Sequence, residues 1–391
     1  MSAPSTRRHL LASGAALAAS SLLPLSGARA QTAAPAATAA PTTTPARRFA
    51  PQVGAWRSFE VTTTITVADI KGATQLWLPV PNLNNDFQRS GETRWTGNAA
   101  SAKVVTDPIS GVALLHATFK ADEFEPTLTV TSAVQTRNRA TDWSRSGGAA
   151  GSSSVSEDPA VLKKALAATE LLQLDGIVKK TADEATRGAK TDLDKVRALY
   201  DWVVANAHRE PKTRGCGTGD IKTMLETGNL GGKCADLNAL FVGLCRASGV
   251  PARDIYGLRL APSAFGYKEL GGNPASLKGA QHCRAEVFLA SHGWVAMDPA
   301  DVLKVMRQET PDWIKDRNHP LVAPVAAGLF GAWEGNWVGW NNGHDVSLPG
   351  SAAKGTLPFL MYPNGENATG RFDELAPDNF RYTIAARELT T

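Results

Sequence analysis

The sequence predicts an α+β fold, because the spacing of its apolar residues changes along the chain. Residues 53–143 show the alternation of β-branched and polar side chains that is typical of antiparallel strands. From residue 155 the apolar residues instead recur at helical spacing, and beyond residue 251 the chain returns to strand-like segments. Strands, then helices, then mixed strands predict segregated layers, which defines the α+β class.

The first thirty residues have the pattern of a secretory signal peptide. Arg7 and Arg8 precede an apolar run from Leu10 to about Leu25, and an A-x-A cleavage site ends at Ala30. The run is too short and too interrupted for a membrane span, so no transmembrane anchor is expected. The paired arginines favour a twin-arginine signal over an ordinary Sec signal with a basic start. We therefore expect a periplasmic or secreted protein that is soluble after signal cleavage.

Residues 31–52 are rich in Ala, Pro and Thr, and we interpret them as a disordered linker. Removing residues 1–30 takes away three arginines and no acidic residue, so most of the formal charge of +4 belongs to the signal segment. The remaining chain is nearly balanced in charge. This balance provides no electrostatic reason to expect binding to nucleic acid or to an anionic membrane.

The N-terminal β-module, residues 53–143, contains four segments with strand character. They read RSFEVTTTITV, TQLWLPVP, GVALLHATFK and TLTVTSAVQTRN. A Gly/Ser-rich linker over residues 144–158 follows the module. Its composition predicts a break between the β-module and the helical part of the chain.

Residues 155–310 form the predicted core, in which helices precede strands. The run CADLNALFVGLCRA predicts a helix with one buried stripe, which ends at Gly249 and Pro251. Residues 311–391 are a Trp- and Gly-rich C-terminal extension with strand-like pieces, among them TLPFLMYP and FRYTIAAREL. The extension is therefore predicted to be mixed and mostly β.

Cys234 stands at the predicted start of this helix, after Gly231, Gly232 and Lys233. A helix N-terminus stabilises a thiolate through its unpaired amide groups and the helix dipole, and the thiolate is the nucleophilic form of cysteine. Gly232 allows close approach of the backbone, so we expect it to contact a substrate. Cys245, three turns further along among apolar neighbours, is predicted to be a small core residue.

A nucleophilic thiol needs a base, and the base needs an acceptor that orients it. The run QHCRAEVFLASHGWVAMDPAD predicts a β-hairpin that supplies both. His282 and Arg284 share one face of its first strand. Pairing around the turn places His282 opposite about residue 300, so Asp298 lies one diagonal step away. The order Cys234, His282, Asp298 follows.

Two stretches, GGKCADLNALFVGLCRASGVPARDIYG and HCRAEVFLASHGWVAMDPAD, resemble the transglutaminase-like superfamily over roughly residues 155–305. The resemblance implies a papain-like core with helices packed on an antiparallel sheet. In that core Cys234 is the nucleophile, His282 the general base and acid, and Asp298 the orienting carboxylate. Where the family often has Trp two residues after the His, this chain has Arg284. We expect Arg284 to contact a substrate carboxylate.

By this resemblance the chain is an exported cysteine enzyme that attacks an amide carbonyl, with hydrolysis favoured over cross-linking. The expected partner is a protein or peptide substrate, including peptides of the cell wall. No cofactor and no metal are expected, because the cysteine spacing matches no zinc site and no D-x-D-x-D-G calcium loop occurs. The alternative function is a catalytically idle binding or assembly module of the cell envelope, in which the core is scaffold.

The four cysteines have a second interpretation, since disulfides are the default in an exported protein. Cys216 has Cys283 and Cys245 as candidate partners, and the sequence does not choose between them. A bridge to Cys234 would exclude the enzyme interpretation.

Several other polar and aromatic residues are predicted to be structural. The tryptophans within residues 333–340 predict packing, whereas an exposed row of rings would indicate a sugar-binding protein. Four polar residues are expected to be solvated or to cap helices rather than to act in catalysis: Asp301, His292, His208 and Asp236.

Overall fold

The computed structural model describes residues 47–68, 71–144, 154–376 and 380–390. The predicted signal peptide and most of the predicted linker after it lie outside the described residues. In the described part of the chain, no helix has the length and apolar character needed to cross a membrane.

The helices lie in the middle of the chain. They are α1 (Pro159–Lys164), α2 (Gly176–Ala185), α3 (Asp192–Asn206), α4 (Ile221–Thr227), α5 (Cys234–Ala247), α6 (Pro299–Gln308) and α7 (Ala323–Gly328), with a 3₁₀ turn at Lys268–Leu270. Helix α5 confirms the helix predicted to start at Cys234. It ends where Gly249 adopts a left-handed φ of 81°, which glycine reaches without strain.

The strands lie on both sides of the helices. The first seven are β1 (Arg57–Val67), β2 (Thr74–Pro79), β3 (Gln88–Gly97), β4 (Ser101–Thr106), β5 (Ala113–Phe119), β6 (Thr127–Thr136) and β7 (Arg139–Ala140). The next five are β8 (His208–Arg209), β9 (Gly231–Gly232), β10 (Ala252–Arg259), β11 (Gln281–Leu289) and β12 (Gly293–Met297). The last five are β13 (Ala332–Trp333), β14 (Trp337–Asn341), β15 (Asn364–Asn367), β16 (Gly370–Arg371) and β17 (Phe380–Leu389).

The larger sheets are antiparallel. Two of them, with strand orders β17-β1-β6-β3 and β16-β15-β2-β5-β4, contain the strands of the N-terminal β-module. The sheet of the core has the order β12-β11-β10-β14, and α5 packs against β11 and β10. Helices on an antiparallel sheet, next to antiparallel β-layers, confirm the predicted α+β class.

Strands from the C-terminal extension complete sheets that earlier segments begin. Strand β14 pairs with β10 of the core, β15 pairs with β2, and β17 pairs with β1 along its whole length. The domain boundaries near residues 143, 155 and 311 stay a prediction, and strand pairing crosses them. The extension is therefore structurally continuous with both the β-module and the core.

The burial of α5 differs from the sequence expectation. The pattern predicted one buried stripe, but every residue from Cys234 to Arg246 is buried. Helices α2, α3, α4 and α6 surround α5 on the sides that the sheet leaves open. A helix that is enclosed on all sides carries apolar or small residues on all sides, which a stripe analysis underestimates.

Three local predictions about strands and rings have clear outcomes. Strands β3 and β4 were not predicted, because their side chains are mostly exposed and lack apolar alternation. The segment TLPFLMYP is not a strand: its Leu357 makes an isolated bridge to Val346. Trp333, Trp337 and Trp340 are buried, so the packing interpretation is confirmed and no exposed row is formed by these rings.

The hairpin of β11 and β12 has the predicted register. Ala285 pairs with Met297 and Leu289 with Gly293, so the turn lies at residues 290–292. Beyond Met297 the chain leaves the sheet, and Asp298 caps α6 by accepting a hydrogen bond from the Asp301 amide at 3.2 Å. Helix α6 was not predicted, although Asp298 followed by proline at the first helical position is a helix-start signal.

Candidate active site

Cys234 is the first residue of α5 and is only 3 % exposed. The turn before it is held by Asp236, whose Oδ2 accepts a hydrogen bond from the Lys233 amide at 3.0 Å. The amides of Thr218 and Gly219 donate to Asp236 Oδ1 at 2.9 and 3.0 Å. Asp236 is thus a capping residue, as predicted. It clamps the first turn of α5 to the 218–219 loop and so determines where the Cys234 thiol lies.

Gly232 lies where a side chain would not fit. A Cβ atom at this position would approach the Asp236 Cβ to 2.6 Å. Gly232 also pairs in parallel with Arg209, through the short strands β8 and β9. It does not line the cavity next to Cys234 described below, so packing explains the glycine, and the substrate contact expected for it has no support in its position.

His282 and Asp298 meet at the end of the core sheet. His282 Nε2 lies 2.7 Å from Asp298 Oδ2, and both side chains are buried. Asn238 on α5 donates from Nδ2 to Asp298 Oδ1 at 3.2 Å and to the Cys283 carbonyl at 2.9 Å. Trp337 Nε1 donates to the His282 carbonyl at 2.8 Å. Asn238 therefore holds the Asp298 carboxylate, and Trp337 holds the backbone of His282.

Asp301 joins the same cluster, which corrects the expectation that it is a solvated or capping residue. Its Oδ2 lies 3.3 Å from His282 Nε2, and its Oδ1 accepts a hydrogen bond from Arg259 Nη2 at 2.6 Å. Burial would raise the pKa of Asp301, but Arg259 and His282 outweigh it and hold that pKa well below its ordinary value. Asp301 is a second buried anion beside the imidazole, because Arg259 compensates its charge.

Arg284 does not line the cavity next to Cys234 described below, so its position gives no support to the substrate contact expected for it. Its guanidinium packs over the rings of Trp333 and Trp337, and its Nη1 donates to the Glu334 carbonyl at 3.0 Å. Its Nε lies 3.7 Å from Asp298 Oδ2. Arg284 is thus placed behind Asp298, where it compensates that carboxylate.

All four cysteines are free thiols, and three of them meet. The side chains of Cys216 and Cys283 both hydrogen-bond to Cys234. Cys216 also lies 3.5 Å from the Gln281 carbonyl. Cys245, on α5, is buried in the apolar core, as predicted. The disulfide interpretation does not describe this arrangement of thiols.

Cys234 and His282 are set to opposite charges by their neighbours. Hydrogen bonds from Cys216 and Cys283 outweigh burial and, together with His282, hold the pKa of Cys234 well below its ordinary value near 9. Burial and Arg259 lower the pKa of His282, but Asp301 and Asp298 outweigh them and raise it to about 9. These opposite shifts favour a thiolate–imidazolium pair.

A cavity of about 230 Å³ borders this pair. Cys234 and His282 form part of its wall, and β8, β10, α6 and the loop of residues 271–281 supply the rest. Because Asp298 occupies His282 Nε2, the ring nitrogen left for Cys234 is Nδ1. The arrangement can generate a nucleophilic thiolate and transfer a proton at the edge of one cavity.

His282, Asp298 and Asp301 also bring possible metal-ligand atoms within 4.8 Å of one another. Arg259 and Arg284 already lie against the two carboxylates. A cation here would have to compete with these guanidinium groups. The residues therefore fit a charge-compensated hydrogen-bond cluster better than a metal site.

The sequence that forms this site matches a known family. The profile of the transglutaminase-like superfamily matches residues 179–299, a range that contains Cys234, His282 and Asp298. An uncharacterized protein of Haemophilus influenzae is 34 % identical over 346 residues, which cover 85 % of this chain and 91 % of that protein. The chain belongs to the transglutaminase-like superfamily.

One solved structure is similar to this chain over most of its length. It is that of a proposed cysteine protease from Cytophaga hutchinsonii, with a TM-score of 0.50 and 16 % identity. The match covers 87 % of this chain and 93 % of that chain. The likeness confirms the predicted fold class, with a transglutaminase-like core.

Several residues of this transglutaminase-like site were missed or misjudged by sequence reasoning. Asp301 had a usable signal, since it lies three residues after Asp298 in the first turn of α6 and shares its surroundings. Arg209, Arg259 and Cys216 had none, because no local pattern ties them to Cys234. Tertiary structure alone brings them to the cavity.

Proposed function

We propose that this protein is an exported cysteine acyl-transfer enzyme that hydrolyses an amide of a protein or peptide. Cys234 is the nucleophile, His282 the proton carrier and Asp298 the group that orients the imidazole. One observation carries this proposal: the thiol of Cys234 and the imidazole of His282, which a buried carboxylate aligns, form part of the same cavity wall. This is the arrangement that cysteine-dependent amide chemistry requires.

Each step follows from the positions of these groups. Cys234 Sγ attacks the carbonyl carbon, the C–N bond breaks, and the imidazolium of His282 gives its Nδ1 proton to the leaving amine. The acyl group stays on sulfur as a thioester. His282 then takes a proton from water, and the water oxygen attacks the carbonyl carbon of the thioester. The C–S bond breaks, the carboxylic acid product leaves, and the thiolate of Cys234 is restored. The amide group of Cys234, in the first turn of α5, is available to stabilise the oxyanion.

Export and choice of acceptor are further parts of the proposal. The twin-arginine pattern of residues 1–30 supports delivery of a folded protein to the periplasm or the exterior, where cell-wall peptides are available. Hydrolysis is favoured over cross-linking by the resemblance to bacterial members of the superfamily. The motif itself is compatible with either acceptor, because both reactions share the thioester.

The proposal is tested without knowledge of the substrate by alkylating residues 31–391 with iodoacetamide across a pH series. Mass spectrometry reads the rate at each cysteine separately. We expect Cys234 alone to react well below the thiol pKa of about 8.5, and His282→Ala to abolish this early reaction. Cys245 is the internal control, because burial raises its pKa well above the ordinary value. A Cys234 that stays inert, or titrates like a free thiol, would contradict the enzyme function.

The burial of Cys234 is the observation that favours the second candidate, a catalytically idle binding or assembly module. In that case the thiol would be part of the core, and the surrounding β-layers would bind the partner. The idle module predicts slow alkylation of Cys234 at every pH and no effect of His282→Ala. The two functions therefore give opposite results in the same experiment.

A further inference from the structure

The cavity beside Cys234 is lined by three cationic side chains, Arg209, Arg259 and Lys304. Its described lining residues include no carboxylate. The thiolate of Cys234 is balanced by the imidazolium of His282, so these two groups add no net charge. The cavity therefore presents positive charge next to the reacting sulfur.

Two of the three cations are compensated from behind the wall. Arg259 Nη2 lies 2.6 Å from Asp301, and Lys304 Nζ lies 3.2 Å from Glu269 Oε2. Arg209 is different, because its Nε donates to the neutral amide oxygen of Gln308 at 2.9 Å. No carboxylate of the described residues forms an ion pair with Arg209. One guanidinium charge in the cavity wall thus remains without an anion.

A second, independent feature of the wall also calls for an acceptor. Gln281 is 8 % exposed and lines the cavity, and its Nε2 is buried without a hydrogen-bond partner. An unsatisfied buried donor is destabilising, so such groups are retained mainly where a ligand or water completes them. Gln281 lines the same cavity as Cys234 and His282, so this residue lies near the proposed reacting groups.

The fold holds Arg209 close to the nucleophile. Arg209 is the register partner of Gly232, and Gly232 precedes Cys234 by two residues. Another part of the wall is made of mostly small residues from the loop after the 3₁₀ turn, including Gly271, Gly272 and Gly279. Small residues leave the volume to the ligand, while the charged wall supplies its recognition.

We propose that Arg209 and Gln281 form a carboxylate-binding subsite beside Cys234, so that the substrate is an acyl donor that carries a free carboxylate near the scissile amide. This inference rests on the proposed function for the scissile amide but not for the anion subsite itself. Arg209 supplies the charge and a planar pair of donors, and Gln281 Nε2 supplies a further donor. Amides with an acidic group at this position are the predicted substrate class.

The matched reagents iodoacetate and iodoacetamide test the subsite at Cys234 itself. They differ in charge and little in size, and the ratio of their rates cancels any change in the thiolate population. Protonated His282 favours iodoacetate in any case, so the decisive comparison is between variants. We expect Arg209→Gln to lower the iodoacetate-to-iodoacetamide ratio at least about threefold, the scale of one partly screened charge. Gln281→Leu should lower it less, and added salt should lower it in the wild type.

Arg187→Gln is the control, because Arg187 is exposed on the turn after α2 and does not line the cavity. It changes the net charge of the protein by the same amount and should leave the ratio unchanged. A ratio that is equal in the wild type and in Arg209→Gln would overturn the subsite. An equal loss in Arg187→Gln would also overturn it, because the effect would then come from net charge.

A second measurement does not depend on a reactive thiol. In the Cys234→Ala protein, saturation-transfer NMR compares glutarate with its neutral analogue glutaramide. We expect glutarate alone to bind, and Arg209→Gln to abolish its signal. If both compounds bind alike, or neither binds, the subsite is wrong. If Cys234 is inert to alkylation but glutarate binds through Arg209, the proposed enzyme function fails while the anion subsite stands.

Discussion

Cys234 depends on two other cysteines for its low pKa. The sequence predicts activation by the helix N-terminus, and hydrogen bonds from Cys216 and Cys283 lower the pKa of Cys234 as well. Both of these thiols have pKa values raised well above the ordinary value, Cys216 by its hydrogen bond with Cys234 and Cys283 by burial, so they stay protonated beside Cys234. At the residue scale, two neutral thiols and the imidazole of His282 together lower the pKa of Cys234.

Replacing either donor thiol should therefore raise the pKa of Cys234. We expect Cys283→Ala and Cys216→Ala to move the pH midpoint of iodoacetamide reaction at Cys234 upwards, because each removes a hydrogen bond to the thiolate. Cys245→Ala is the matched control, since Cys245 is buried in the same helix among apolar neighbours. If Cys245→Ala shifts the midpoint as far as Cys283→Ala does, general loosening of the core is the cause instead.

The pKa of His282 should fall when its carboxylate partner loses its charge. Burial and Arg259 lower this pKa, and Asp301 and Asp298 raise it to about 9. Asp298→Asn removes one raising charge but keeps a side chain that caps α6. We expect the imidazolium to be lost below pH 9, as read by NMR titration of the His282 ring. The alkaline limb of any hydrolytic activity should move to lower pH by the same amount.

The control for this titration is Asp183→Asn, which removes a carboxylate from the exposed face of α2. It should leave the titration of His282 unchanged. An unchanged His282 titration in Asp298→Asn would mean that the 2.7 Å contact does not control the imidazolium.

At the scale of elements, the start of α5 packs against strand β9, which pairs with β8, and against the 218–219 loop. Strand β9 places Gly232 against the side chain of Asp236, and Asp236 ties the first helical turn to residues 218–219. The approach leaves no room for a methyl group. Gly232 was predicted to make room for a substrate, but it makes room for the capping carboxylate of Asp236.

Gly232→Ala should destabilise the fold and misplace the thiol. The new Cβ would lie 2.6 Å from the Asp236 Cβ, so the helix start must shift. We expect the free energy of unfolding to fall by about 1–3 kcal/mol and the reaction of Cys234 to slow. Thermal and urea unfolding measure the first effect. Gly279→Ala is the comparison, because a Cβ there meets nothing within 4 Å; its unfolding free energy should change by about 0.5 kcal/mol or less.

At the scale of the whole molecule, the last strand connects the β-module to the candidate site. Strand β17 pairs with β1 on one side. On its other side the Ala386 amide donates to the Pro274 carbonyl at 2.8 Å, and the Ile384 carbonyl accepts from the Leu277 amide at 2.8 Å. The C-terminal strand thus holds the loop of residues 271–281 that forms one wall of the cavity.

Ala386→Pro separates these two roles of β17. Proline removes the amide that points to Pro274 but leaves the ladder to β1, because amide groups alternate in direction along a strand. We expect faster hydrogen exchange in residues 271–280 with only a modest fall in the melting temperature. Ala385→Pro removes a ladder amide instead and should lower the melting temperature further. Unchanged exchange in the loop of Ala386→Pro would show that β17 does not hold it.

The sequence by itself was enough for the features that short stretches of chain encode. The helix start at Cys234, its end at Gly249 and the hairpin register that brings His282 near Asp298 all follow from local periodicity and turn residues. The superfamily, and the roles given to the three candidate residues, came from the resemblance of two such stretches to a known family. The reason is physical, since helix caps and strand register depend on neighbours within a few positions.

Only the tertiary structure decided what surrounds these residues. Cys216, Arg209 and Asp301 reach the site from a loop, a two-residue strand and the first turn of α6, and only the packing of these elements brings them to Cys234 and His282. Charge and hydrogen bonding act through space, so they depend on distance in the fold and not on distance along the chain. For that reason the sequence was enough to propose Cys234 as the nucleophile, whereas the pKa shifts of its neighbours and the charge of its cavity required the tertiary structure.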